Sequence, residues 1–337
     1  MAPRSAFQAR ALRRVGMRIA ALARNDRAAV AAATVTAVGI RAERVIRRAT
    51  GIDRLMDRLH DAELAKAPGA VWHTSRPERR RPEANWHDGG TGAAVVLING
   101  ISGSGLLWPT AWVAELEKRF RVIRIDNRGT GWSRWARAPF NIADLADDVR
   151  DVLDACGVDR AKIVGISMGG MVAQEVGLRH PGYVDHLYLL GAIPPTPAHV
   201  PAPDYTEILR TMVSLPSPKD WRDWAVGRRL LWFAGPSFMP QPGLARELSE
   251  QMRRRITLPL HTFYQARAIG SWQDPQRLTG LQVSTTVVQG AVDPIVVAAN
   301  GRTLADLIPG AHLVELPGVG HLLPWEAGDT LIDLLGG

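Results

Sequence analysis

The 337-residue chain holds a single cysteine, Cys156, which excludes an internal disulfide framework and any cysteine-based zinc or iron–sulfur site. Nothing in it demands an oxidising compartment. Lysine is almost as scarce, with four residues (Lys66, Lys118, Lys162, Lys219) against 37 arginines, a skew that also touches ordinary surface positions and so speaks for codon usage over phosphate recognition. Long apolar runs are missing too. The uncharged stretch from Ala28 to Ile40 spans thirteen residues, which as a helix would cover roughly 20 Å against the roughly 30 Å of a bilayer's hydrocarbon core. Six of the thirteen are alanine, and we do not read it as a membrane span. No internal repeat stands out, and no spacing of His, Cys, Asp or Glu suggests metal ligands, so neither metal nor cofactor is expected.

What is present is ample apolar material: 46% of residues are hydrophobic and 22% charged, enough for a sizeable core. The formal charge of +8 is unevenly placed. Residues 1–60 carry thirteen arginines against four acids, a balance of +9, and the remaining 28 basic and 29 acidic residues leave the body at −1. A charge confined to the head is no argument for a nucleic-acid partner, and none is expected. Within the head, Leu12, Val15, Ile19 and Leu22 fall at helical spacing with Arg13, Arg14, Arg18 and Arg24 on other faces; Ile52, Leu55, Met56 and Leu59 repeat the pattern. Residues 1–66 are therefore expected to form a basic helical extension, either packed on a protein surface or making peripheral membrane or lipid-granule contact through residues 1–60. Arg13 and Arg14 invite a twin-arginine export reading, but Arg18, Arg24, Asp26 and Arg27 interrupt the apolar run that should follow. The expected location is cytoplasmic, with membrane association open. No feature assigns an oligomeric state. Pro68, Pro77 and Pro82, with Arg79 to Arg81 between, read as a polar connector.

From about Ala93 short apolar runs alternate with helical segments. Strands are expected at 94–98, 122–125, 162–165, 186–190, 286–288 and 312–315, and helices at 143–155, 168–178 and 297–307. Asn141 and Gly157 suit the two ends of the first helix. Strict alternation implies a mostly parallel sheet covered on both faces, with ligands bound at the carboxyl ends of its strands.

Three loops at such ends carry reactive residues. Gly165-Ile166-Ser167-Met168-Gly169 is a G-x-S-x-G sequence between a strand and a helix, where a sharp turn would lift the serine hydroxyl above the sheet. Gly290-Ala291-Val292-Asp293 follows another strand, and Gly318-Val319-Gly320-His321 a third. A serine hydroxyl is a poor nucleophile unless a base stands within hydrogen-bond reach, and that base needs a carboxylate to fix its tautomer. Ser167, Asp293 and His321 supply these parts in that chain order, and are the candidate catalytic residues.

With these motifs in place, residues from about 69 to 335 resemble the α/β-hydrolase fold superfamily of serine hydrolases. Asp126-Asn127-Arg128-Gly129-Thr130-Gly131-Trp132-Ser133 is similar to the D-x-R-G-x-G-x-S turn of that family, with a packing role. The resemblance implies an α/β core over 67–192 and 280–337, a helical cap over 193–279, and an oxyanion hole from the backbone N–H groups of Ile101 and Met168. Asn99 stands where many members have histidine, a departure that touches loop support. Trp221, Trp224, Trp232, Phe233, Phe238, Met239, Phe263, Tyr264 and Trp272 in the interruption argue together for an apolar pocket.

The expected activity is hydrolysis of small apolar carboxylic esters through an acyl-enzyme on Ser167, carboxylesterase- or lipase-like. Polyhydroxyalkanoate depolymerases, which the Asn-Gly loop resembles, enol-lactonases and cofactor-free haloperoxidases are alternatives on the same three residues. Carbon–carbon bond hydrolases share the elbow, but their glycine-proline-rich oxyanion loop is missing. A non-catalytic binding protein of this fold would be expected to have lost one of the three.

Overall fold

The computed structural model describes residues 71–73, 84–133, 136, 138–203, 231–240, 242–245, 247–248, 251 and 259–336. The chain divides into two compact units, Met1–Gly69 with Thr206–Leu215 and Ala70–Tyr205 with Pro216–Gly337, and every described residue falls in the second. The basic extension, its amphipathic stretches and the Ala28 to Ile40 run lie outside the described residues. Among those described, no helix is long and apolar enough to cross a membrane.

Eight strands form one sheet in the spatial order β1 (Val71–His73), β2 (Asn85–Gly89), β4 (Arg121–Asp126), β3 (Ala94–Ile98), β5 (Ala161–Ile166), β6 (Val184–Leu190), β7 (Thr285–Gly290) and β8 (His312–Leu316). β2 runs antiparallel to both β1 and β4, and every pairing from β4 to β8 is parallel. The central strands are covered on both faces: all five residues of β3, an unbroken apolar run, and all six of β7, where Thr285, Thr286 and Gln289 accompany the two valines, are buried.

Helices α1 (Thr110–Glu117), α2 (Ile142–Cys156), α3 (Met168–Arg179), α4 (Pro259–Ser271), α5 (Ala298–Leu307), α6 (Leu323–Glu326) and α7 (Gly328–Gly336) complete the described part. α2 is bounded as its sequence suggests. Asn141 and Asp144 form a reciprocal capping box at 2.9 and 2.8 Å, and Gly157 closes the helix in the left-handed region at φ 63°. One face of the sheet packs on a cluster that includes Trp108, Trp112, Leu116, Val164, Leu190, Leu331 and Leu335, with the two tryptophan rings stacked at 5.8 Å. Each aliphatic side chain buried there contributes about 1.5–3 kcal/mol relative to exposure.

The edge of the sheet departs from the sequence reading. β1 lies inside the stretch read as a polar connector, and β2 carries Asn85 and His87 buried. Neither has an apolar alternation; both are held by ladder bonds and polar contacts such as Asn85 N–H to Ser133 Oγ at 2.7 Å.

Between β6 and β7 the chain leaves the sheet for an interval whose described part contains a 3-10 turn, Leu231–Phe233, and α4. Its ends are stitched together: Thr196 N–H donates to Trp272 O and Asp274 N–H to Thr196 O. Beneath α4, the buried carboxylate of Glu175 on α3 accepts from Trp272 Nε1 and from both arms of Arg277. Trp272 is thus an anchor for this interval, whereas Trp232 is 73% exposed. Trp221 and Trp224 lie outside the described residues.

Candidate active site

Ser167 follows the last residue of β5 at φ 56° and ψ −121°, a region that L-residues rarely adopt and that costs on the order of 1–3 kcal/mol. The neighbourhood enforces it. Ser167 N–H donates to Leu190 O at 3.0 Å, and Ser167 O accepts from Gly170 N–H at 2.9 Å. A Cβ on Gly165 would lie 2.2 Å from Gly169 O, and one on Gly169 would lie 2.0 Å from Ile98 O. The two glycines flanking the serine are therefore required by close backbone approach, which lets the start of α3 sit against the end of β3.

Asp293 and His321 meet across the ends of β7 and β8. His321 Nδ1 lies 2.6 Å from Asp293 Oδ2, and the other carboxylate oxygen accepts from the backbone N–H groups of Ile295 and Val296 at 2.8 and 2.9 Å. An ionised carboxylate only accepts, so Nδ1 carries the shared proton and Nε2 presents a lone pair. Gly191, next to the residue that accepts from Ser167 N–H, packs on this pair: its Cβ position lies 3.2 Å from both Asp293 Oδ2 and His321 Nδ1. All three candidate residues thus belong to one end of the sheet.

The loop after β3 closely approaches Ser167, with a Cβ on Gly100 placed 3.1 Å from Ser167 Cβ. Asn99 holds this loop from within. Its Oδ1 accepts from Gly100 N–H at 2.8 Å, its Nδ2 donates to the carbonyls of Ser104 and Leu107, and its own carbonyl accepts from Asn127 Nδ2 at 3.0 Å. The N–H groups of Ile101 and Met168 donate to no described residue. Met168 opens α3, where unpaired N–H groups and the helix dipole favour negative charge.

The Asp126 to Ser133 turn serves as scaffolding. Asp126 accepts from Gly105 N–H at 2.6 Å and from Trp132 N–H at 2.8 Å, tying the loop after β3 to the loop after β4, while Arg128 makes a two-pronged pair with the buried Asp148 on α2.

Two supporting residues escaped the sequence reading. Glu326 on α6 accepts from the N–H groups of Gly320 and Leu322, on either side of His321, and from Gly235 N–H, at 2.8, 2.9 and 2.7 Å. His321 N–H in turn donates to Phe233 O at 2.7 Å. Gln265 on α4 accepts from Ser102 N–H at 2.8 Å. Glu326 reads in sequence as one more polar residue near a helix, and only the fold turns its carboxylate back under the histidine loop.

Two further side chains with reactive atoms lie away from this site. Burial, with Asp88 adding to it, pushes the Cys156 thiol up to about 11, and His180 Nε2 is engaged by Asp147 at 2.7 Å. Among the described residues no three His, Cys, Asp or Glu side chains are grouped so as to hold a metal ion.

Comparison with known proteins agrees with this architecture. A family model for the α/β hydrolase fold matches residues 93–328, and the chain belongs to that family and is a hydrolase. A relative from Variovorax paradoxus, provisionally named carbamate hydrolase RutD, is 40% identical over 243 residues, 70% of this chain and 87% of its own. Rhodomycin D methylesterase DauP from a Streptomyces species is 28% identical over 267 residues, 71% of this chain and 88% of its own. The crystal structure of the enol-lactonase from Burkholderia xenovorans superposes with a TM-score of 0.61 at 25% identity, covering 77% of this chain and all of that one.

Proposed function

We propose that this hydrolase cleaves carboxylic esters of apolar substrates by acyl transfer through Ser167. The observation that carries the reading is the Asp293–His321 pair, bonded at 2.6 Å through Nδ1 at the same end of the sheet as a serine held at φ 56°, with Leu190 bonded to the serine and Gly191 packed on the pair. With Nδ1–H committed to the carboxylate, Nε2 accepts the proton of Ser167 Oγ as the oxygen attacks the ester carbonyl. The resulting oxyanion is met by the N–H groups of Ile101 and Met168, each such donor supplying roughly 3 kcal/mol of transition-state stabilisation. His321 returns the proton to the departing alcohol. Water then repeats the cycle in reverse on the acyl-enzyme and releases the acid. Asp293 orients His321 and balances its charge while it is protonated.

The interval between β6 and β7 acts as a cap over this end of the sheet, a role supported by the bonds from His321 to Phe233 and from Ser102 to Gln265. An ester reading fits the methylesterase relative, and a lactone is an internal ester that the same residues would open.

A fluorophosphonate probe should label Ser167 in the folded protein, and Ser167→Ala should abolish both labelling and turnover of p-nitrophenyl esters. Unlabelled Ser167, or turnover that survives its removal, refutes the assignment. A p-nitrophenyl series from acetate to palmitate, run beside a lactone and a carbamate, ranks the substrate classes.

A further inference from the structure

We infer that Gln265, assisted by Thr262, is a positioning residue that holds the oxyanion loop in its working turn; this rests on the acyl-transfer reading above. Gly103 N–H donates to Gly100 O at 3.1 Å, closing a four-residue turn around Ile101 and Ser102. Ser102 sits at φ 62° while Ile101 keeps a negative φ, the signature of a type II turn. That turn calls for glycine or asparagine at its third position. A serine there favours the type I alternative, which differs by a flip of the central peptide, the one joining Ile101 C=O to Ser102 N–H.

The flip is opposed from α4. Gln265 is fully buried, and its Oε1 accepts from Ser102 N–H at 2.8 Å, a bond available only in the observed orientation. The amide cannot turn over, because its Nε2 donates to Arg128 O at 2.9 Å and Arg128 is locked to Asp148. One turn earlier on the same helix, Thr262 Oγ1 lies 2.7 Å from Ser102 Oγ. Ile101 N–H belongs to the peptide that enters this turn, so the turn's conformation sets how steadily that N–H faces the developing oxyanion. Helix α4 of the cap therefore supplies, through a side-chain amide, the turn preference that the local sequence lacks.

Gln265→Met keeps the size of the side chain and removes its acceptor. In the full chain we expect kcat for a p-nitrophenyl ester to fall about tenfold, short of the 10²–10³ that outright loss of an oxyanion donor costs, with KM changed less than about twofold. Adding Ser102→Gly restores a type II preference from within the turn, and the double variant should recover most of the lost kcat. A residue that only supports the fold would show no such rescue. Wild-type kcat in Gln265→Met, or a loss that Ser102→Gly leaves unrepaired, overturns the proposal. Should Gln265→Met fail to fold, Thr262→Val with and without Ser102→Gly is read by the same criteria. A wild-type protein that neither turns over esters nor labels at Ser167 instead overturns the acyl-transfer reading and this role with it.

Discussion

The carboxylate of Asp293 shows how much one side chain can determine. Its two oxygens are assigned different work by their surroundings: Oδ1 faces two backbone N–H donors and Oδ2 faces the imidazole. An amide at this position has one acceptor and one donor, and the two fixed N–H groups of Ile295 and Val296 would claim the acceptor. The amide nitrogen would then face His321 Nδ1, which would have to accept, moving the ring proton to Nε2 and abolishing the base. Asp293→Asn is therefore expected to fold normally while losing about 10⁴ in kcat. Steady-state kinetics on an ester substrate beside a circular dichroism spectrum checks this. A loss of activity below about tenfold would show that the carboxylate is not orienting the histidine.

At the scale of elements, the strand-end loops that carry Ser167, Asp293 and His321 were legible because each follows a strand-like run and holds glycine close by, a pattern that marks a strand's end without reference to the rest of the chain. Their supports were not legible, since Glu326 and Gln265 act on residues brought near by folding alone. β2 was missed for a related reason: its buried Asn85 and His87 are paid for by partners in other elements, which no local pattern announces. Two substitutions separate local from long-range requirements. Gly169→Ala drives a methyl group into Ile98 O at 2.0 Å, and because both sides are backbone it is expected to cost about 3 kcal/mol or more and to dislodge the elbow. Glu326→Gln keeps one acceptor but turns an amide N–H toward a backbone donor, leaving a part of the clamp unsatisfied. It should lower stability by about 1–3 kcal/mol and reduce kcat together with it, as the loops carrying His321 and Gly235 loosen. Urea denaturation and ester kinetics on each variant test both; a Glu326→Gln protein with unchanged kcat would show that His321 is held without the clamp.

Across the whole molecule, the parallel sheet that gathers the three candidate loops at one end also holds a half-buried imidazole between its strands, and this gives stability a direction with pH. His186 on β6 lies beside Lys162 on β5 and donates to or accepts from Thr286 on β7 at 2.8 Å. Burial, and then the Lys162 cation, hold its imidazole below the usual value of about 6.5; burial does the same to His199. A folded-state value depressed in this way means that the unfolded chain takes up the proton first on acidification. The contribution is fully present above the unfolded value of about 6.5 and is lost progressively as the pH falls from there through the lower folded value. The urea midpoint should therefore drop between pH 7.5 and pH 5, with the slope opposite in sign to that of a histidine stabilised by a carboxylate. His186→Gln, which keeps a hydrogen-bonding partner for Thr286 but cannot titrate, should flatten part of that decline. An unaltered pH profile in His186→Gln would place the acid sensitivity elsewhere in the molecule.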